Sequence, residues 1–294
     1  MAGRARRHRR VTDRTTDRAT GRGTVWPMTE RYTHGHHPAV LANHSARTAQ
    51  NSAAFLLGHL RTGQRLLDVG CGPGTITVDL AALLEPGEVV GVDNVASVLD
   101  GARALAAERG QPNVRFEQAD AYALPYDDGS FDVVYAHQVL QHVARPVELL
   151  RELYRVLRSG GLVAVRDADY GTMIHAPDDA RLHRWLELYH TVARGNGGEP
   201  DAGRYLRAWV TEAGFVDELT TASSWCYAEP SATQAWGTQW ASRVSEGSFA
   251  DAAVSTGAAT RAELDEIAGA WRQWAAHPTA FFAFIHGEVL ARKP

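Results

Sequence analysis

Lysine is nearly missing from this chain: Lys293 is the only one, and every other permanent cation is arginine. That bias is of the kind a GC-rich genome imposes and carries no chemistry of its own. Cysteine is scarce too. Cys71 and Cys226 alone cannot build a disulfide framework. No run of eighteen apolar residues occurs, which excludes a spanning helix on hydropathy grounds. A secretory apolar segment is also lacking, so the cytoplasm is the expected location. There is no internal repeat, and no low-complexity stretch beyond the first residues. Negative charge is in modest excess at −4 overall, but unevenly spread. Residues 1–22 hold eight Arg and two Asp, a local +6 that leaves −10 on the remainder. An acidic body argues against nucleic acid as the partner. The basic stretch 1–27 is expected to be a disordered leader, or sequence upstream of a start at Met28, rather than a binding arm or transit peptide. The 294 residues are enough for one large core with a cap.

What is present is organised around Leu66-Leu67-Asp68-Val69-Gly70-Cys71-Gly72-Pro73-Gly74-Thr75. An apolar run leads through an acid into a glycine-rich turn and a helical stretch, Ile76 to Leu84. Gly70, Gly72 and Gly74 let the backbone bend sharply and let a ligand approach closely. Such a loop, between a buried strand and a helix N-terminus, suits an adenosine-bearing cofactor. A dinucleotide fingerprint calls for Gly or Ala at its last position, where this chain has Thr75. Asp68, ahead of the first glycine, would repel a pyrophosphate and attract an ammonium group.

Strand-like and helix-like stretches then alternate. Glu88–Asp93 reads as a second strand, and Asp93 falls 21 residues after Gly72, where a carboxylate meets a ribose diol. Asn94 is grouped with it as a cofactor neighbour. Val114–Asp120 reads as the third strand and Phe131–Ala136 as the fourth. A helix over Pro146–Leu157 follows, with a stop and tight turn at Arg158–Gly161. Leu162–Asp167 reads as the fifth strand, and Asp169-Tyr170-Gly171 is expected to leave the sheet. The alternation means an α/β doubly wound parallel sheet.

The stretches LLDVGCGPG at 66–74, VVGVD at 89–93, QADAYALPYDDGSFDVVYAHQVLQHV at 118–143 and LRSGGLVAV at 157–165 occur in series. With them the chain resembles the class I S-adenosylmethionine-dependent methyltransferases. The likeness is to the ubiquinone and menaquinone biosynthesis branch and to natural-product tailoring enzymes, and it covers roughly residues 60–170. It implies a Rossmann-like seven-stranded sheet, with an antiparallel last strand slotted between the fifth and sixth. It also implies S-adenosyl-L-methionine as cofactor and a small-molecule acceptor, and leaves a homodimer open. Asp68 and the Gly70–Gly74 backbone suit the amino-acid head, and Asp93 the ribose. Asp120 can accept from the adenine amine while the Ala121 amide donates to a ring nitrogen. Ala136 is expected to offer its carbonyl to the ammonium group, with His137 beside the methionine portion. No Asn/Asp-Pro-Pro-aromatic element for exocyclic amines occurs.

The expected division is leader 1–27, N-terminal lid segment 28–58, cofactor-binding core 59–170, cap insertion 171–203, core helix and sixth strand 204–229, helical cap 230–278 and final strand 279–294. In the lid segment, Ala39–Leu57 has helical spacing. Candidate catalytic residues near the expected mouth are His36, His37, Tyr32 and Asp169, with Asp167, Tyr170 and His175 as further possibilities. The His36/His37 loop is favoured as base because an unperturbed imidazole titrates near neutrality. No metal site is assigned: the histidines at 34, 36 and 37 have no Cys or carboxylate nearby, and adjacent side chains diverge. His142 and His286 read as structural. Trp185, Trp209, Trp225, Trp236, Trp240, Trp271 and Trp274 all fall in the second half. They lean towards a flat or apolar acceptor, with core packing of the cap as the competing explanation.

Overall fold

The computed structural model describes residues 47–294. Seven strands form one sheet in the order β3-β2-β1-β4-β5-β7-β6. They are β1 (Leu66–Val69), β2 (Val89–Asp93), β3 (Val114–Gln118), β4 (Phe131–His137), β5 (Leu157–Ala176), β6 (Val216–Tyr227) and β7 (Phe281–Arg292). The first five are parallel, and β7 runs antiparallel to both β5 and β6. This is the doubly wound, Rossmann-like architecture with the expected position of the last strand.

All four residues of β1 are buried, as a central strand covered on both faces requires. One face carries Leu67, Val69, Val134, Ala136, Val163 and Val165. It packs on α5 (Pro146–Val156) and α7 (Leu206–Glu212) through residues such as Leu149, Leu153, Leu206 and Val210. Helix α5 starts with Pro at its first position, Glu148 in its first turn and Arg155 in its last, each matched to the backbone dipole. The opposite face carries Leu66, Tyr135 and Ala164 against α3 (Thr75–Leu84) and the N-terminal α1 (Ala49–Ser52) and α2 (Ala54–Leu57). Helix α4 (Ala96–Glu108) covers the β2/β3 side with Val98, Leu99 and Ala102. The single helix expected up to Leu57 breaks at Ala53, which separates α1 from α2.

The fifth strand departs from expectation. It does not stop at Asp167, and Asp169-Tyr170-Gly171 does not leave the sheet. The strand continues to Ala176, so residues 171–176 belong to it rather than to a cap insertion. The reason lies more than a hundred residues downstream: β7 pairs along it, with Asp169 opposite Ile285, then Ile174 opposite Ala283 and Ala176 opposite Phe281. The expected breaker is absorbed as an irregularity between Asp169 and Ile174, where the Thr172 hydroxyl accepts from the Ile285 amide at 2.9 Å. Likewise the turn at Arg158–Gly161 becomes a register shift between the Phe131 and Val133 pairs. The sheet therefore carries a three-stranded extension beyond the tips of β1, β2 and β4.

One face of that extension is covered by α6 (Ala180–Gly195), α8 (Pro230–Ser245), α9 (Ser248–Ser255) and α10 (Arg261–Ala275). Their shared core is aromatic: Trp185, Trp236, Trp240 and Trp271 pack with Tyr189, Phe249, Phe282 and Phe284. The Trp185 ring meets Trp240 edge-on at 4.5 Å and Trp271 at 4.8 Å between centroids. Helix α10 begins with Thr260, whose hydroxyl accepts from the Glu263 amide at 3.2 Å. Among the described residues no helix is long and apolar enough to cross a membrane.

Candidate active site

Four strand tips, those of β3, β2, β1 and β4, meet at one edge of the sheet. After β1 the chain turns through Gly70, Gly72 and Gly74, with φ of +73°, +52° and +77°. These are left-handed conformations that side chains strain to adopt. A Cβ on Gly70 would run into the Val139 side chain just beyond the β4 tip. A Cβ on Gly74 would lie 2.7 Å from the Ala102 Cβ and 2.8 Å from the Phe116 ring. The loop is thus pressed between its neighbours and opens α3 with bare backbone.

Asp93 braces that loop. One carboxylate oxygen accepts from the Gly72 amide at 3.0 Å, the other from the Val95 amide at 3.0 Å. Each oxygen keeps a second lone pair for a hydroxyl donor. Asp68 is buried and accepts from the Thr77 hydroxyl at 2.6 Å. Burial, helped by the nearby charge of Asp93, pushes its carboxyl up to about 7. A buried acid in that state gains most from a cation placed beside it. Asp120 is exposed after β3, with one oxygen taking the Tyr122 amide at 2.9 Å. Ala121 follows in the same turn. Asn94 is exposed, and its carbonyl accepts from the Gln118 side chain at 2.9 Å. Ala136 is fully buried at the end of β4, opposite Val69 and Val165. The structure thus brings Asp68, Gly70, Gly72, Gly74, Asp93, Asn94, Asp120, Ala121, Ala136 and His137 to neighbouring tips. They fit a ligand with a cationic head, a diol and a hydrogen-bonding ring.

The β4 tip joins this edge to the cap. His137 is buried, its ring stacked 6.4 Å from Tyr135 and tilted 5.9 Å from Trp225 and 6.2 Å from His286. Gln138 follows in a left-handed conformation, φ +55°, rare for a residue with a side chain. From there its amide oxygen accepts from Arg47 Nη2 at 2.6 Å and its nitrogen lies 2.8 Å from His286 Nε2. His286 is fully buried, and burial next to Arg166 and Arg47 holds its imidazole well below the usual range. Arg166, beneath these rings, is buried with Glu288 at 3.1 Å and its guanidinium 5.0 Å from the Trp225 ring centre. The N-terminal helix α1 packs against this corner. The Tyr135 hydroxyl donates to the Ser52 carbonyl at 2.8 Å, and the Trp225 indole to the Asn51 carbonyl at 3.2 Å.

The catalytic candidates fare differently. Tyr32, His36 and His37 lie outside the described residues. Asp169 is buried, and both its oxygens are held by Arg204, at 2.6 and 2.5 Å. That ion pair ties β5 to the turn before α7, so Asp169 is not placed as a free base. Asp167 is buried against the turn after β4. It accepts from the Gln141 amide at 3.0 Å, and burial pushes its carboxyl up to about 8. Tyr170 stacks on Tyr189 at 4.1 Å. His175 is not near the tips at all but at the far end of β5. His142 sits in a short turn, Leu140–His142, where burial lowers its imidazole to about 3. Sequence reasoning gave no role to Gln138, Arg47, Arg166 or Glu288. Their only signal was position, Gln138 immediately after a strand tip and the others on segments far apart in the chain.

Comparison with known proteins agrees with this arrangement. A family model described as a methyltransferase domain matches residues 60–214. An uncharacterized methyltransferase of Schizosaccharomyces pombe is 32% identical over 277 residues, covering 89% of this chain and 96% of the relative. The 27-O-demethylrifamycin SV methyltransferase of Amycolatopsis mediterranei is 34% identical over 200 residues, covering 67% and 69%. Among solved structures, the YcgJ protein of Bacillus subtilis shares the fold with a TM-score of 0.55 at 19% identity, covering 83% of this chain and 98% of that one. With the glycine loop, the acids at the strand tips and a family match over more than half its length, this chain belongs to the class I S-adenosylmethionine-dependent methyltransferases.

Proposed function

We propose that the chain methylates a flat, apolar small molecule seated where the strand tips meet the cap. The observation that carries this is a continuous run of rings leading away from His137. Trp225 lies 5.9 Å from His137 and 5.9 Å from Phe284, Phe284 lies 5.9 Å from Trp236, and Trp236 stacks on Tyr227 at 4.2 Å. Ring faces and edges of this kind bind planar apolar surfaces. The Amycolatopsis relative is named for a natural-product acceptor, which supports the same class here.

S-adenosyl-L-methionine, when bound, supplies a methyl group activated by a positively charged sulfur. Asp68 and the glycine loop hold its amino-acid head, Asp93 and Asn94 its ribose, and Asp120 with the Ala121 amide its adenine. The Ala136 carbonyl and His137 flank the methionine portion. The protein's work is alignment of the acceptor for in-line displacement and exclusion of water, which the cap and lid segment provide. A hydroxyl acceptor also needs a base. We assign that role to His36 or His37, with Tyr32 as a further candidate, since Asp169 is held by Arg204.

The test is transfer of labelled methyl from the cofactor to a panel of aryl and polyketide hydroxyls, quinols and charged amines. Label is expected in the apolar hydroxyl or quinol compounds, and Trp225→Ala should raise the acceptor KM at least about fivefold with cofactor affinity kept. Label confined to charged amines would overturn the acceptor class. Cofactor binding without transfer to any compound would instead favour a protein that keeps the pocket but does not methylate.

A further inference from the structure

The chain passes from the end of β5 into α6 through a turn that gathers three ligating side chains. His175 is the penultimate residue of β5, Asp178 lies in the turn, and His183 sits in the first turns of α6. The two imidazole rings are 4.7 Å apart between centroids, and His183 Nε2 lies 2.6 Å from Asp178 Oδ1. One donor atom from each residue falls within 4.8 Å of the other two. A second observation points the same way: His175 Nε2 is buried and has no hydrogen-bond partner among the described residues. A buried ring nitrogen without a partner loses its hydration for nothing in return.

We infer that His175, Asp178 and His183 bind one divalent transition-metal ion of the zinc class. Two imidazoles and one carboxylate suit zinc, cobalt or nickel, whereas magnesium and calcium favour all-oxygen sites. Three protein ligands leave the outer position to water. Donor atoms around a tetrahedral zinc lie about 3.3 Å apart, from bonds of about 2.0–2.1 Å. The His183–Asp178 pair must therefore open slightly while His175 draws closer. The first two side chains have the freedom to do so, being 57% and 86% exposed. The strand end itself is fixed: the Trp274 indole of α10 donates to the Ala176 carbonyl at 2.9 Å.

The β7 partners of Asp167 and His175 are Gly287 and Phe282, five residues apart, so His175 lies roughly 17 Å beyond Asp167 at the rise of an extended strand. The ion is therefore remote from the reacting methyl group. Its effect is to fasten the outer end of the sheet to the first cap helix, and its binding energy adds to the stability of the folded chain. The site is independent of the acceptor proposed above.

The experiment uses the full chain with no added histidine tag. Calorimetric titration with zinc chloride and visible absorption with cobalt report binding, and thermal unfolding reports the stabilisation. The expected result is one ion bound, a rise in Tm with zinc, and at least about tenfold weaker binding in His183→Ala. The parallel variant His34→Ala/His36→Ala/His37→Ala must retain the tight site, because those histidines are a rival source of affinity. If His183→Ala unfolds, Asp178→Asn replaces it, since that side chain is almost fully exposed. Unchanged zinc affinity in the folded variant, or loss of all binding in the triple variant, overturns the inference and leaves a surface His–Asp pair.

Discussion

The two ends of the site are held together by different means. At the tips of β1, β2 and β3 the surface is made of bare backbone and three carboxylates, Asp68, Asp93 and Asp120. Little apolar bulk is involved, and each group matters by its position to within a hydrogen bond. Beyond the β4 tip the structure is made of buried rings packed on rings, and five of the tryptophans share one core. There each group matters by its volume. Hence substitutions in the first region should cost ligand affinity before stability, and substitutions in the second should do the reverse.

Trp185→Ala is the largest test of that contrast. The ring is 1% exposed and touches Trp240, Trp271 and Tyr189. Its loss should cost about 3–5 kcal/mol of stability, read by denaturant unfolding. Cofactor affinity, measured by calorimetry where the variant is folded, should change less than about twofold. A parallel fall in affinity would show that cap and cofactor loop form one unit.

The second test reverses the rule at one residue. Asp167 is fully buried and its carboxyl is pushed up to about 8. In the unfolded chain it titrates near 3.8, the ordinary value for an aspartate. Between about pH 4 and pH 8 the folded chain therefore holds a proton that the unfolded chain has released, so stability falls as pH rises through that window. Asp68, raised to about 7, adds to the same trend up to neutrality. Asp167→Asn keeps an acceptor for the Gln141 amide but cannot ionise. It should be more stable than the parent at pH 8, by on the order of 2–4 kcal/mol, with the gain fading towards pH 4. A pH-independent difference between the two proteins would remove the assignment.

The third test is Asp93→Ala. It takes away the acceptor of the Gly72 amide along with the partner proposed for the ribose diol. Cofactor affinity should drop at least about tenfold, or about 1.4 kcal/mol, while the unfolding midpoint moves little. Unchanged affinity would refute the ribose assignment.

The same division explains what could be read before the fold was known. The cofactor half is written locally: a buried run, an acid and a glycine turn lie within ten residues, so Asp68, Gly70 and Asp93 are legible from spacing. The place of β7 between β5 and β6 came from likeness to a family, since no local pattern specifies it. The length of β5 is not legible locally, because Gly171 reads as a breaker whereas pairing with residues 281–285 overrides it. The Asp169–Arg204 pair, the left-handed Gln138 and the meeting of His175 with His183 were likewise invisible. Each is set by tertiary contact, and none has a periodicity. The tryptophans of the second half lean towards an apolar acceptor, but composition does not say which rings face a ligand and which only fill volume.

The smallest expected effect sharpens the contrast from the exposed side. Asp120 is solvent-exposed, one oxygen occupied by the Tyr122 amide. In Asp120→Asn the amide oxygen can still serve that turn, and the side chain can still accept from an adenine amine. Only the charge is lost, and at an exposed position charge contributes little because water screens it. Cofactor affinity should therefore fall about two- to fourfold, under 1 kcal/mol, with unfolding unchanged within about 0.5 kcal/mol. Asp120→Ala, which removes the acceptor as well, should exceed it and approach the loss in Asp93→Ala. Equal affinities for the Asn and Ala variants would mean that Asp120 acts on the cofactor by charge alone, and the strand-tip region would then resemble a field more than a set of fitted contacts.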